Sequence, residues 1–399
     1  MNSDPIFIVG VQRSGTTLLS AMLAAHSQIS CGPETHFFQR LSKERIEDLI
    51  DSKCWPKKAI NFIKSITFTN FSDTSSNKIS ILEKYHLREE TLFEYLSQQP
   101  PKITSILGSI VIPFMESLGK SRWAEKTPDH IKYLDLIRKF YPESPIIRII
   151  RDPRDVALSL MRVPWGTKTF FEGIDYWKSL YDLSSDFFKF DSHSYTLRFE
   201  DLVESPEYQL RKLCEFLGEK FEYSMLDTSL TGKQVNSQGV PWKKKAEEPI
   251  DKNRAYQWKN YLSNEMNYYT EALIGNTLKE FNYPTTQNLP NPGEYYPQNI
   301  TLHQYGNKLS KMATSGIRFW KKDPSEEPVA IFMIGEPMKL NCVEESLIGK
   351  IENVFLTLIK VFQFKLTGKK LFWLISEDHH LYNGIGNKFL TIFLKSFQI

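Results

Sequence analysis

Cysteine is scarce in this chain: Cys31, Cys54, Cys214 and Cys342 are the four in 399 residues. They stand far apart, which excludes a disulfide framework and a paired-thiolate metal site, and the expected setting is reducing and cytoplasmic. A large excess of one charge is also lacking, since 50 Lys and Arg face 47 Asp and Glu for a net +3. That balance argues against a nucleic-acid binder, although a local basic cluster can still hold an anion. Nineteen Gly and 21 Pro are too few for a collagenous or linker-dominated chain. The opening apolar run, Ile6 to Val9, is too short for a signal core or a membrane span, so the domain is expected to start almost at the first residue. A mean hydropathy of −0.37 fits a soluble protein, and no fixed-period repeat is visible.

What the chain does have is a strand, a Gly-bounded turn and a helix at its start. Ile6 to Val9 is β-rich, Gly10 ends it, and from Gly15 to His26 the residues Leu18, Leu19, Met22, Leu23 and Ala25 recur at helical spacing. A second strand is expected over Pro145 to Ile150, followed by a helix with Asp152 as N-cap and Pro153 at its first position. A third, Ser194 to Phe199, precedes a helix that starts near Ser205-Pro206 and is closed by Gly218. Alternation of this kind predicts an α/β fold, a P-loop-like three-layer sandwich around a mainly parallel sheet.

The rest of the chain divides by composition. Residues 50–120 read as a helical insertion over the sheet, a candidate lid, with a polar break at Asn70 to Asn77. A helix is expected around Trp258 to Phe281, ending at Tyr283-Pro284, before a loop rich in Pro, Asn and Gln. The expected division is therefore a catalytic domain over 1–284, a linker over 285–328, and an α/β or helical extension over 329–399. That extension restarts with a strand-and-Gly pattern at Val329 to Gly335 and an apolar helical stripe over 343–366. Packing of the stripe on its own protein is placed ahead of contact with a membrane surface.

Gly10-Val-Gln-Arg-Ser-Gly15-Thr16-Thr17 has the spacing of a phosphate-binding loop in the required strand–loop–helix setting. Thr16 stands where a nucleotide triphosphatase has its lysine, so the usual clamp on the β- and γ-phosphates is missing. Arg13 offers a planar cation instead. A nucleotide kinase or ATPase, and a noncatalytic nucleotide-binding protein, remain the alternatives at this point.

With this loop, four further segments bring out a resemblance. Gln12-Arg13-Ser14-Gly15-Thr16-Thr17-Leu18, Gly32-Pro33-Glu34-Thr35, Glu125-Lys126-Thr127-Pro128, Arg151-Asp152-Pro153-Arg154-Asp155 through Ser159, and Arg198-Phe199-Glu200-Asp201-Leu202 together resemble sulfotransferases that use 3′-phosphoadenosine 5′-phosphosulfate (PAPS), in their tyrosylprotein-sulfotransferase-like branch. The likeness runs in order over about residues 5 to 284, apart from the 50–120 stretch, and Phe199 departs from the family's usual Tyr.

The resemblance implies PAPS as co-substrate and no metal. It implies that Gln12, Arg13, Ser14, Gly15, Thr16 and Thr17 hold the 5′-phosphosulfate, that Arg151 and Ser159 hold the 3′-phosphate, and that Ser237 closes over the donor. Glu34 is the implied general base, with His36 as its rival, and Arg13 and Lys126 would stabilise the leaving group. Burial beside an incoming hydroxyl is expected to raise the Glu34 pKa. Lys243-Lys244-Lys245 reads as a solvated run, and Trp242 and Trp258 as packing residues. Peptide tyrosine, a carbohydrate and a small alcohol all remain open as acceptor.

Overall fold

The computed structural model describes residues 4–69, 78–236, 240–262 and 264–286, and the strands Gly316–Trp320, Val329–Ile334 and Leu371–Ile375. Two units divide the chain, one of residues 1–156 and 177–259, the other of 157–176 and 260–399. The division therefore falls near 260 and takes 157–176 with the second unit, rather than following residue 284. Within that second unit the Tyr261 ring lies 4.8 Å from the Arg162 guanidinium, which ties the two stretches together.

The first unit is built on a five-stranded parallel sheet. Its strands are β1 (Ile6–Val9), β2 (Ile29–Cys31), β5 (Arg122–Lys126), β6 (Ile146–Ile150) and β7 (Ser194–Arg198), in the order β2-β5-β1-β6-β7. β1 is central, with Phe7 opposite Glu125 on one side and Ile146 on the other. Continuous apolar runs suit strands covered on both faces, and β1 and β6 are buried throughout. Helix α1 (Thr16–Ala24) covers one face with Leu18, Leu19, Met22 and Leu23. The helix Pro206–Leu217 adds Leu210, Leu213 and Leu217 to the same core and ends at Gly218, whose φ of 71° is the expected left-handed cap.

Two of the five strands escape the hydrophobic pattern. β2 has three residues, and β5 reads Arg-Trp-Ala-Glu-Lys yet is buried along its whole length. Each of its charges has a partner: Arg122 NH1 meets Glu219 Oε1 at 2.9 Å and the Leu217 carbonyl at 2.7 Å, and Arg122 Nε donates to the Asp4 carbonyl at 2.7 Å.

The 50–120 stretch is more than a helical insertion. β3 (Thr67–Thr69) and β4 (Lys78–Ser80) pair antiparallel, and the helix Ile103–Ser117 packs on β2 and β5 as part of the crossover into β5. The expected helix from Trp258 is two pieces, a short 3₁₀ turn at Gln257–Asn260 and a helix over Asn264–Glu280. In the second unit, β8 (Gly316–Trp320), β9 (Val329–Ile334) and β10 (Leu371–Ile375) form a sheet, with β9 antiparallel to β8 and parallel to β10. β8 lies inside the stretch expected to be a linker, so 285–328 is not all linker. The polar break at Asn70 to Asn77 and the helical stripe over 343–366 lie outside the described residues.

Candidate functional site

The C-terminal ends of the parallel strands bring the chemistry-bearing segments to one edge of the sheet, where open α/β sheets place their ligands. After β1 the chain makes the Gly10–Gly15 loop and enters α1. Gly10 is required by space, because a Cβ there would lie 2.5 Å from the Ile149 carbonyl oxygen. Gly15 is required by conformation, with φ of 102° and the Phe199 ring against its open face. Phe199, which stands where the resembled family usually has Tyr, thus serves as packing for the loop. Ser14 is fully buried and its Oγ has no hydrogen-bond partner among the described residues. A buried hydroxyl without a partner costs free energy, and one set in such a loop fits a phosphate oxygen. The first N–H groups of α1 have no intrahelical acceptor and carry the positive end of its dipole.

Arg13 holds a left-handed φ of 73°, rare for a non-glycine residue. Its NH2 donates to the Trp242 carbonyl at 3.1 Å, and its own carbonyl accepts from Arg151 NH1 at 3.3 Å. Burial, with Arg151 and Arg254 nearby, pushes the Arg13 pKa down to about 10. Arg151 lies 4.5 Å over the Phe199 ring and donates to Asp155 Oδ2 at 3.1 Å and to the Arg254 carbonyl at 2.7 Å. Arg151 is thus ion-paired with Asp155, but its buried Nε has no partner among the described residues.

Glu34 follows β2 and faces this loop. Lys126 Nζ, from the end of β5, lies 2.5 Å from Glu34 Oε1, and Lys243 Nζ lies 2.7 Å from the same oxygen. His36 Nε2 is 3.3 Å from Glu34 Oε2. The 50–120 stretch contributes Lys84, whose ammonium donates to the Glu34 carbonyl at 3.3 Å while resting 3.4 Å over the Phe68 ring. The neighbouring Tyr85 hydroxyl donates to the Pro33 carbonyl at 2.5 Å.

The segment is fixed from below by Glu125, which is buried. Its Oε1 accepts from the Thr35 hydroxyl at 2.7 Å and the Thr127 hydroxyl at 2.6 Å. Its Oε2 lies 2.8 Å from His130 Nδ1. Phe38 N–H donates to His130 Nε2 at 3.2 Å, which leaves Nδ1 on the side of Glu125. Burial raises the Glu125 pKa, but His130 and the two hydroxyls outweigh it and bring it to about 2.

The same competition overturns the expected behaviour of Glu34. Burial pushes its pKa up, but Lys126, Lys243 and the His36 hydrogen bond hold it well below the usual carboxylate range. In this arrangement Glu34 is an ion-pair partner, not a carboxyl poised near neutral pH. The cations show the converse: burial lowers Lys84 to about 7 and Lys243 to about 8, despite the pull of Glu34.

The structure brings together Arg13, Ser14, Glu34, Lys126 and Arg151, all in the first unit. Gln12 and Thr17 are half-buried in the loop, and Thr16 opens α1. Ser159 belongs to the second unit, half-buried near the end of the helix Pro153–Leu160. Ser237 lies outside the described residues. Asp152 caps that helix as expected, accepting from the Arg154 N–H at 3.0 Å, and also takes the Trp258 indole N–H at 3.0 Å. Trp258 is buried packing, as expected.

Sequence reasoning missed Lys84, Lys243 and Arg254. The lysine run is not wholly solvated, because Lys243 turns inward while Lys244 and Lys245 stay exposed. Nothing local distinguishes Lys243 from its neighbours. The signal that could have found it is the carboxylate of Glu34 and its need for countercharge.

Comparison with known proteins gives the following. The model of the family described as "Sulfotransferase family" matches residues 5–223, more than half of the chain. Protein-tyrosine sulfotransferase A of Caenorhabditis elegans is 22% identical over 328 residues, covering 79% of this chain and 75% of that protein. The omega-hydroxy-beta-dihydromenaquinone-9 sulfotransferase Stf3 of Mycobacterium bovis is 26% identical over 251 residues, covering 54% of this chain and 62% of the relative. Among solved structures, the sulfotransferase domain from the olefin synthase of Synechococcus PCC 7002 is similar with a TM-score of 0.49 and 18% identity, over 71% of this chain and 98% of that one.

Proposed function

The chain belongs to the sulfotransferase family, and on that premise we propose that it moves a sulfonate from PAPS to an acceptor hydroxyl or amine, with Glu34 taking the acceptor's proton. The observation that carries this reading is the Lys126–Glu34 pair beside a phosphate loop whose buried Ser14 hydroxyl lacks a partner. Both the loop and the cations suit an anion, so the residues present fit the co-substrate. Gln12 to Thr17 would hold its 5′-phosphosulfate and Arg151 its 3′-phosphate, a role that the family resemblance alone extends to Ser159. Ser237 is assigned to the same site by the family resemblance alone.

When bound, PAPS supplies an activated sulfonate on a phosphate leaving group. Arg13 and Lys126 would then be the cations that offset charge developing as that group departs. Lys126 also carries protons that it can give up. Glu34 accepts the hydroxyl proton once it is no longer engaged by both ammonium groups, and His36 orients it through Oε2. Thr16 in place of the phosphate-loop lysine favours this reading over a kinase or ATPase.

The acceptor belongs to the proposal as a class only: a hydroxyl of a peptide tyrosine, a carbohydrate or a small alcohol. The two sequence relatives are named for a protein tyrosine and for a hydroxylated menaquinone, which supports a hydroxyl without choosing between them. A cytoplasmic setting is consistent with Cys31, Cys54 and Cys214 all being free thiols. The test is a screen of such acceptors with isotopically labelled PAPS and mass-spectrometric identification of the product. Absence of labelled product across all three classes, with donor binding intact, would refute catalysis and leave a nucleotide-binding protein.

A further inference from the structure

Two ammonium groups converge on one oxygen in this site. Lys126 and Lys243 both bond Glu34 Oε1, at 2.5 and 2.7 Å, and an oxygen so engaged is a poor proton acceptor. Four cations, Arg13, Lys84, Lys126 and Lys243, act on this one carboxylate. Positive charge therefore exceeds negative at the mouth of the loop. Lys243 is also linked to the loop itself, because the adjacent Trp242 carbonyl accepts from Arg13 NH2 and the turn Pro241–Ala246 packs on α1. The Lys126 ammonium ends a buried strand and is fully enclosed, whereas Lys243 comes from a short turn and keeps 20% of its side chain exposed. Of the two, Lys243 has the freedom to change partner.

Resting on the reading given under Proposed function, we propose that Lys243 is a positioning residue that holds Glu34 idle while the site lacks its donor. When the donor's anionic group is present, Lys243 turns its ammonium to that group and releases Glu34 as a proton acceptor. Glu34 and the donor then compete for one cation. The base would otherwise be ready before anything could be transferred, and this exchange couples its readiness to donor occupancy.

Competition predicts an affinity effect that needs no turnover. PAPS is titrated by calorimetry, without acceptor, into the unmodified protein, Glu34→Gln, Lys243→Met and the double variant. Glu34→Gln is expected to bind PAPS about three- to tenfold more tightly, and most of that gain should vanish in the Lys243→Met background, the coupling expected of contacting groups. Lys243→Arg should keep the gain, since the cation is retained. Equal gains with and without Lys243, or no gain at all, overturn the proposal. If melting shows that Lys243→Met does not fold, Lys243→Gln completes the same cycle. Failure of the unmodified protein to bind PAPS would instead strike the sulfotransfer reading, and this inference with it.

Discussion

Replacing Glu34 with Gln nearly keeps the side chain's shape and removes the negative charge that serves Lys126, Lys243 and His36. Lys126 is fully enclosed and its ammonium bonds Glu34 Oε1, so the variant leaves an enclosed cation without its countercharge. Breaking a buried pair from one side costs about 3–5 kcal/mol. The lower end applies here, because Glu34 keeps 15% exposure. Urea denaturation of the nucleotide-free protein at pH 7 should therefore show a loss of about 3 kcal/mol. Glu34 has a lowered pKa in the folded state, so its contribution is present above the unfolded value of about 4.3 and fades as pH falls through the lower folded value. The gap between variant and unmodified protein should narrow in acid. Turnover, measured by product mass spectrometry with labelled PAPS, should fall about 10²–10⁴-fold, the worth of a general base. His36→Ala, which removes an orienting contact and not the proton acceptor itself, should cost less than about tenfold. Glu34→Gln retaining near-normal turnover, or His36→Ala proving the more damaging, would refute the assignment of the base.

Three further outcomes are expected. 3′-Phosphoadenosine 5′-phosphate should raise the melting temperature far more than adenosine 5′-phosphate, and Arg151→Met should erase most of the difference; equal shifts in the unmodified protein would remove Arg151 from the 3′-phosphate site. Burial lowers Lys84 to about 7 in the folded state, against about 10.4 unfolded, so the unfolded chain binds more protons between these values and stability rises with pH there; Lys84→Met should flatten that rise between pH 7 and 9 in denaturation curves, leaving the part due to Lys243 above about pH 8. Gly15→Ala should cost about 2–4 kcal/mol from a left-handed φ and collision with the Phe199 ring, and Phe199→Leu in the same chain should recover part of it; an unchanged denaturation midpoint for Gly15→Ala would show that the loop is not held as described.

How far the sequence could be read depended on whether burial was achieved by apolar residues or by paired charges. β1 and β6 were legible because strands covered on both faces are written mostly as Ile, Val and Phe, and in β6 four isoleucines carry the pattern across the buried Arg148. α1 and the helix Pro206–Leu217 were legible because their apolar positions recur at helical spacing and Gly218 closes the second. β5 was not, although it is buried throughout, because Arg122, Glu125 and Lys126 find partners in Glu219, Thr35 and Glu34, each from a distant segment. A pattern of residue types cannot show a partner that only the fold supplies. Lys243 is the sharpest case: it is paired with a carboxylate 209 residues away, while its equally charged neighbours remain in solvent.

The position of Glu34 was legible from Pro33-Glu34-Thr35, but its ionisation was not, for the same reason. Burial and countercharge push a carboxyl pKa in opposite directions. Local sequence suggests the first, whereas the second depends on Lys126 from β5 and Lys243 from a turn more than a hundred residues further on. The outcome is a carboxylate held in its charged form by cations that suit an anion. In the role proposed for it, its strength as a base is set by which anion those cations serve, not by burial alone.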